Sequence, residues 1–167
     1  KRVDGEPMST LAMDNLVLHL NASAGNAWLL LELLCAQVSG LTGRSADRRD
    51  DWRVPLPGAR VIQRGFDPEE ALLPRPRRTF DGYRLLQEFF AMPERFRFVE
   101  LQGLRPALEK AEGDEVDLYI PLREGLREAS QVVLPEVFQL NCIPAVNLFE
   151  KRCDRVRLTV RDTEHQV

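Results

Sequence analysis

Histidine and cysteine are the side chains best suited to nucleophilic, redox or metal chemistry, and this sequence has few of either. The two histidines, His19 and His165, share no metal-ligand spacing with each other or with the cysteines. The three cysteines, Cys35, Cys142 and Cys153, form no CxxC pair, and an odd thiol count without a secretion signal is typical of a reducing compartment. A Cys142–Cys153 disulfide is disfavoured for the same reason. We therefore expect no metal or cofactor at these positions. We expect His19 to be a partly buried structural residue and Cys35 to be a small core residue.

Carboxylates are the second possible source of chemistry. One acidic cluster could coordinate a hard cation, but it matches no EF-hand loop and is better explained as a solvated turn: Glu112, Asp114, Glu115 and Asp117. Two carboxylates distant in sequence could also act as a glycosidase-type pair, which keeps a hydrolase-type enzyme with a scattered carboxylate site as the alternative function. No G-x-S-x-G, P-loop or G-x-G-x-x-G motif occurs. The leading expectation is a protein that is not an enzyme, with no catalytic residue to assign.

Basic residues are most concentrated at Arg75, Arg77 and Arg78, which could contact an anion or an acidic partner. No aromatic or glycine residues alternate with them, and the net charge of the chain is -3, so we expect no nucleic-acid binding. The longest apolar stretch, residues 27–34, contains Glu32 and is shorter than the roughly 20 residues that a membrane span needs. We therefore expect no direct membrane insertion.

The length of 167 residues predicts a single domain, 1–167. A hydrophobic content of 44% and a charged content of 29% are typical of a globular protein with a substantial core. The sequence starts without methionine and ends without a turn or a cap, which we interpret as an internal fragment of a longer chain.

Alternating apolar residues predict strands, and 3.6-residue periodicity predicts helices. Strands are expected at 16–21, 52–56, 59–64, 96–101, 116–122 and 155–160, with Pro121 marking either an edge strand or the end of a strand. Two principal helices are expected at 26–38 and 80–91, a solvated loop at 39–51, and a capping box from Asp67 to Glu70. The predicted fold class is α+β, with one or more mixed, mostly antiparallel sheets.

The segment 80–101 is the expected centre of the core, because it holds five of the eight phenylalanines. Tyr83, Leu86 and Phe90 recur at helical spacing, as do Leu85 and Phe89, so two apolar stripes run along one helix. Proline ends this helix at residue 93, because it lacks the N–H and disfavours helix in the residue before it. The following strand carries large apolar groups on both faces, which predicts that it is covered on both sides.

Three separated blocks of the sequence resemble a known family. They are GFDPEEALLP at 65–74, FDGYRLLQEFFAMPERF at 80–96 and LNCIPAVNLFE at 140–150. Their order and spacing resemble TssF, also called ImpG or VasA, of the bacterial type VI secretion system. The resemblance covers most of the chain, whereas residues 154–156 depart from it where a proline-containing segment is expected.

The resemblance implies a structural baseplate subunit of a contractile injection system that works through protein-protein interaction. The expected partners are TssG-like and TssK-like proteins in a wedge complex, together with the VgrG spike and the sheath whose growth the baseplate initiates. The expected location is the cytoplasmic face of the bacterial inner membrane. The resemblance carries over no catalytic, cofactor or metal residue. We expect the matching residues to be core and turn positions and not partner contacts: Phe66, Tyr83, Leu86, Phe90, Pro93, Phe96, Asn147 and Phe149.

Overall fold

The structure is a computed structural model that describes residues 1–47, 49–74, 80–123, 129–149 and 152, without the side chains of 129 and 130. Its strands are β1 (Leu16–Leu20), β2 (Thr42–Ser45), β3 (Arg53–Pro55), β4 (Arg60–Gln63), β5 (Phe98–Gln102), β6 (Val116–Tyr119) and β7 (Phe138–Gln139). Its helices are α1 (Ala24–Ala36), α2 (Asp81–Ala91), α3 (Arg105–Lys110) and α4 (Ala129–Val132). Short 3₁₀ turns occupy Met8–Thr10, Pro68–Glu70, Pro93–Phe96 and Pro135–Val137.

The first sheet has the strand order β4-β5-β1-β7. Leu18 of β1 lies opposite Val99 of β5, and Val61 of β4 lies opposite Leu101, so these side chains share one face. Helix α1 packs on that face through Leu30, Leu31 and Leu34, and with Leu20 and Val99 they form one hydrophobic core. The other face carries Phe98 and Glu100. Strand β5 is buried along most of its length, as its two apolar faces predict.

The second sheet has the order β3-β2-β6. The prediction of a loop at 39–51 is wrong for its central part, because β2 is the middle strand of this sheet. Its sequence, TGRS, has no apolar alternation. It becomes a strand because α3 lies directly over Gly43, where a Cβ would come within 2.3 Å of the Cβ of Ala107. The edge position predicted for β6 from Pro121 is confirmed.

The α+β prediction is confirmed, and every strand pairing that the structure describes is antiparallel. Both principal helices are present, at 24–36 and 81–91, within two residues of their predicted bounds. The capping box is also present, since Asp67 and Glu70 exchange side-chain and backbone hydrogen bonds. The predicted strand at 155–160 lies outside the described residues. No helix in the described part of the chain is long and apolar enough to cross a bilayer.

Candidate interaction surface

Helix α2 has its charged side buried and its aromatic side exposed. Arg84 and Glu88 are buried, 5% and 2% exposed. The opposite stripe consists of Phe80, just before the helix, with Tyr83, Leu86 and Phe90, and these four residues are called the outer face below. They are 74%, 62%, 56% and 80% exposed, respectively. A helix on the surface of a globular protein normally shows the reverse arrangement.

Glu88 is the centre of the buried side of α2. Its Oε1 accepts hydrogen bonds from the backbone N–H groups of Leu72 and Leu73, at 3.0 and 2.9 Å. Its Oε2 accepts a hydrogen bond from Arg84 Nη1 at 2.9 Å and pairs with the guanidinium of Arg95. One buried carboxylate is therefore held by two cations and two backbone donors, which compensates for the cost of removing it from water. Arg84, Glu88 and Arg95 are called the ion triad below.

Both arginines of the triad have further partners. Arg84 donates to both carboxylate oxygens of Asp81, from Nε at 3.0 Å and from Nη2 at 2.8 Å. These hydrogen bonds, more than any other contact, raise the pKa of Arg84. Arg95 donates from Nη2 to the carbonyl of Glu70 at 2.6 Å, and burial lowers its pKa. The triad thus ties α2 to the 3₁₀ turn at 68–70 and to the segment that follows it.

A second ionic group continues from the triad onto the sheet. Arg64 pairs with Glu70 at 2.5 Å and with the buried Glu100 of β5. Burial alone would raise the pKa of Glu70, but the Gly65 N–H at 2.7 Å and the Arg64 guanidinium hold this pKa below its ordinary value. The segment 64–70, which follows β4, is therefore anchored to the second face of the first sheet.

Apolar anchoring of α2 comes mainly from one aromatic residue. The ring of Phe89 lies 5.8 Å from Trp28 of α1 and 5.7 Å from Phe96, measured between ring centroids. Phe96 is buried, as predicted, and also contacts Phe66 at 5.4 Å. Phe89 is therefore 40% exposed but contacts the rest of the fold, whereas its neighbour Phe90 is 80% exposed.

The expectation that the family-matching residues are core and turn positions is wrong for the three on α2. Tyr83, Leu86 and Phe90 are exposed, and so are Phe66 and Phe149. The physical reason is that the ion triad, and not the aromatic stripe, occupies the inner side of α2. Burial of one such side chain is worth roughly 1.5–3 kcal/mol, so the outer face retains a large unused driving force for association.

A second exposed apolar stretch follows β7. It has no regular secondary structure from 142 to 149. Asn141 adopts a left-handed conformation with φ of 57°, which asparagine tolerates better than most residues. The exposed side chains of this stretch are Leu140, Ile143, Val146, Leu148 and Phe149.

A cleft of about 350 Å³ lies beside the triad, between this stretch and the first sheet. Its charged lining includes Arg64, Glu70 and Arg95. Glu70 is already bound by Arg64, and its lowered pKa is opposite to what a general acid requires. The hydrolase alternative therefore gains no support from this cleft.

The other residues that could do chemistry have structural surroundings. The ring of His19 packs on Phe98 at 4.6 Å, and burial lowers its pKa. Cys35 was expected in the core, but it is exposed on α1 because the leucines beside it take the inner side. Asp114 and Glu115 lie within 3.5 and 3.4 Å of the Lys1 ammonium group. Cys153, His165 and the arginines at 75, 77 and 78 lie outside the described residues.

No group of three or more histidine, cysteine or acidic side chains that could hold a metal ion occurs in the described ranges. What the described residues do bring together is the buried ion triad on the inner side of α2 and the exposed aromatic stripe on its outer side. Sequence periodicity revealed the stripe but assigned it to the wrong side. The inward-facing pair Arg84 and Glu88, four residues apart, was the available signal, because such a pair also forms a stripe of its own.

Comparison with known proteins gives a consistent result. The family model described as "Type VI secretion system, TssF" matches residues 2–167. The chain is 40% identical over 163 residues to the type VI secretion system component TssF1 of Pseudomonas aeruginosa, covering 98% of this chain and 26% of that protein. It also resembles a chain in the cryo-electron microscopy structure of the type VI secretion system TssK-TssF-TssG baseplate subcomplex. That match has a TM-score of 0.67 and 30% identity, and covers 84% of this chain and 26% of the other. The chain thus spans about a quarter of the length of these relatives.

Proposed function

The chain belongs to the TssF family of the type VI secretion system, and we propose that it serves as part of a structural baseplate subunit and not as an enzyme. The observation that carries the proposal is the outer face of α2: an uncharged aromatic stripe that the described residues leave exposed. Such a face suits assembly with another protein. His19 and Glu70 are engaged in structural contacts, which agrees with this role.

We propose TssG-like and TssK-like proteins as the partners. Support comes from the structural relative, whose complex contains TssK, TssF and TssG. The wedge formed by these proteins would surround a VgrG spike and initiate growth of the tube and sheath. The corresponding location is the cytoplasmic face of the inner membrane.

We assign the outer face to an apolar surface of the TssG-like partner. Aromatic side chains bury about 150–250 Å² each, so the partly exposed residues of this face offer roughly 500 Å². That is more than half of the ~800 Å² that each partner contributes to a standard interface. Because none of the four side chains carries a charge, the matching surface is expected to be apolar, and binding should persist at high salt.

The test uses the full-length protein that carries this chain, mixed with the TssG-like protein of the same organism. Size-exclusion chromatography at moderate and high salt should show one co-eluting complex. Leu86→Ser, on the outer face, should abolish co-elution. Leu134→Ser is the matched control, because Leu134 is 47% exposed but is not part of α2, and it should leave the complex intact.

Each other outcome has a distinct meaning. Separate peaks for the unsubstituted proteins at every salt concentration would contradict the proposed partnership. A complex that survives Leu86→Ser would place the contact elsewhere. A full-length Leu86→Ser protein that no longer folds would show that the face is covered by the same polypeptide. A change from dimer to monomer would identify a second copy as the occupant.

A further inference from the structure

The two sides of α2 compete for the interior of the domain. Hydrophobic attraction is not directional, and it would favour turning the helix so that Tyr83, Leu86 and Phe90 face inward. In the structure Arg84 and Glu88 occupy that position instead, and they are nine-tenths or more buried. Something with directional contacts must therefore set the rotation of the helix about its own axis.

The directional contacts all converge on one carboxylate. The Leu72 and Leu73 N–H groups reach Glu88 Oε1 from the loop, while Arg84 and Arg95 reach Oε2 from the helix and from the following turn. Arg84 lies on the same helix as Glu88, so their contact would move with a rotation of α2. Hydrogen bonds weaken steeply when misaligned, so a rotation by a fraction of a turn would break the three contacts that come from outside the helix, those of Leu72, Leu73 and Arg95. It would also leave two part-buried N–H donors without this acceptor.

We propose that the ion triad sets which side of α2 faces outward, so that its members are positioning residues for the docking surface. Glu88 and Arg95 make the contact that leaves the helix, and Arg84 holds the Glu88 carboxylate from within the helix. This inference rests on the proposed function, since it explains how the outer face is presented to a partner. A buried ion triad contributes little net stability compared with apolar residues of similar size. The triad therefore acts by making one orientation of the helix more favourable than the alternatives.

The test replaces the triad with apolar residues of similar size, Arg84→Met/Glu88→Met/Arg95→Met, in the full-length protein. A second substitution, Phe90→Cys, placed in both backgrounds, reports the orientation of α2 through its rate of maleimide labelling. Mass spectrometry separates this site from Cys35 and Cys142, whose exposed thiols serve as internal standards. Binding to the TssG-like partner and urea unfolding are measured on the same variants without the reporter.

We expect the triad variant to unfold cooperatively, at a urea midpoint close to that of the unsubstituted protein. The N–H groups of Leu72 and Leu73 lose their acceptor, but the cost of burying the charged groups is also removed. Labelling at position 90 should slow relative to Cys35, because the aromatic stripe now turns inward. Affinity for the partner should fall by about tenfold or more. A triad variant that keeps its stability but loses partner binding would show that the triad positions the outer face, because a merely structural role would lower the stability as well. Unchanged labelling and unchanged affinity would overturn the inference.

A single variant covers the case in which the triple variant does not fold. Glu88→Gln keeps the side-chain volume and an oxygen for the two N–H groups, but it removes the charge that faces both guanidinium groups. It should slow labelling at position 90 and weaken binding, and wild-type values for both would again overturn the inference. Failure of the proposed function looks different: Leu86→Ser would then leave partner binding intact, while the labelling rates still report whether the triad orients α2.

Discussion

The contact between β2 and α3 gives a sharp test of the fold. Gly43 lies in the middle strand of the second sheet, and a Cβ at this position would be 2.3 Å from Ala107 Cβ and 3.4 Å from Ala107 Cα. Carbon atoms in ordinary contact are about 3.5–4.0 Å apart, so alanine requires α3 and β2 to separate by more than ~1 Å. Both contacts involve atoms that no rotamer change can move. Gly43→Ala therefore forces a backbone shift.

Overpacking of this kind costs about 1–3 kcal/mol. For a chain of this size the corresponding fall in the thermal midpoint is about 2–12 °C. The control is Gly40→Ala, since nothing lies within 4 Å of a Cβ at Gly40. It should be neutral or slightly stabilising, because alanine loses less backbone entropy on folding than glycine does.

A compensating substitution tests the cause. Ala107→Gly alone should cost about 1 kcal/mol of unfolding free energy, because glycine is a poor helix former. Combined with Gly43→Ala, it should remove the collision, so the double variant should be more stable than the sum of the two single effects by roughly 1 kcal/mol or more. Urea unfolding measures all three variants. A neutral Gly43→Ala, or strictly additive effects, would refute the close packing of α3 on β2.

Three further predictions concern pH and the aromatic residues. Burial lowers the pKa of His19, so the contribution of His19 to the free energy of unfolding is full above about pH 6.5 and is lost as the pH falls through the folded-state pKa. Urea unfolding between pH 8 and pH 5 should show this loss. His19→Gln should reduce the change of unfolding free energy with pH. The pKa of Glu70 is also below its ordinary value, so its contribution is lost as the pH falls below 4.5, and Glu70→Gln should remove that loss. Phe90→Ala should change the unfolding free energy by less than about 0.5 kcal/mol, whereas Phe96→Ala, at a buried site in the turn after α2, should cost about 3–5 kcal/mol. Equal effects would contradict the exposed position of Phe90 on α2.

Local sequence signals were sufficient for the elements whose contacts repeat along the chain. The alternation of Leu16, Leu18 and Leu20 predicted β1, and the two apolar faces of 96–101 predicted a strand covered on both sides. The capping box at Asp67 and the helix end at Pro93 are set by groups within a few residues of each other. The order of the sequence blocks at 65–74, 80–96 and 140–150 also indicated the family, and the family match over 2–167 confirms it.

Only the tertiary structure decided which side of α2 is buried and whether 42–45 is a strand. Periodicity shows that a helix has two distinct sides, but the inner side depends on what the rest of the chain offers: here two backbone N–H groups at 72 and 73 and the guanidinium of Arg95. Likewise, the sequence TGRS at 42–45 has no apolar alternation that would predict a strand. The segment forms β2 because β3 and β6 pair with it on both sides and α3 packs on Gly43. The spacing of apolar residues along a sequence predicts whether a segment is a helix or a strand. The groups that form hydrogen bonds with its buried polar side chains come from elsewhere in the fold, so the sequence of the segment alone does not predict which side is buried.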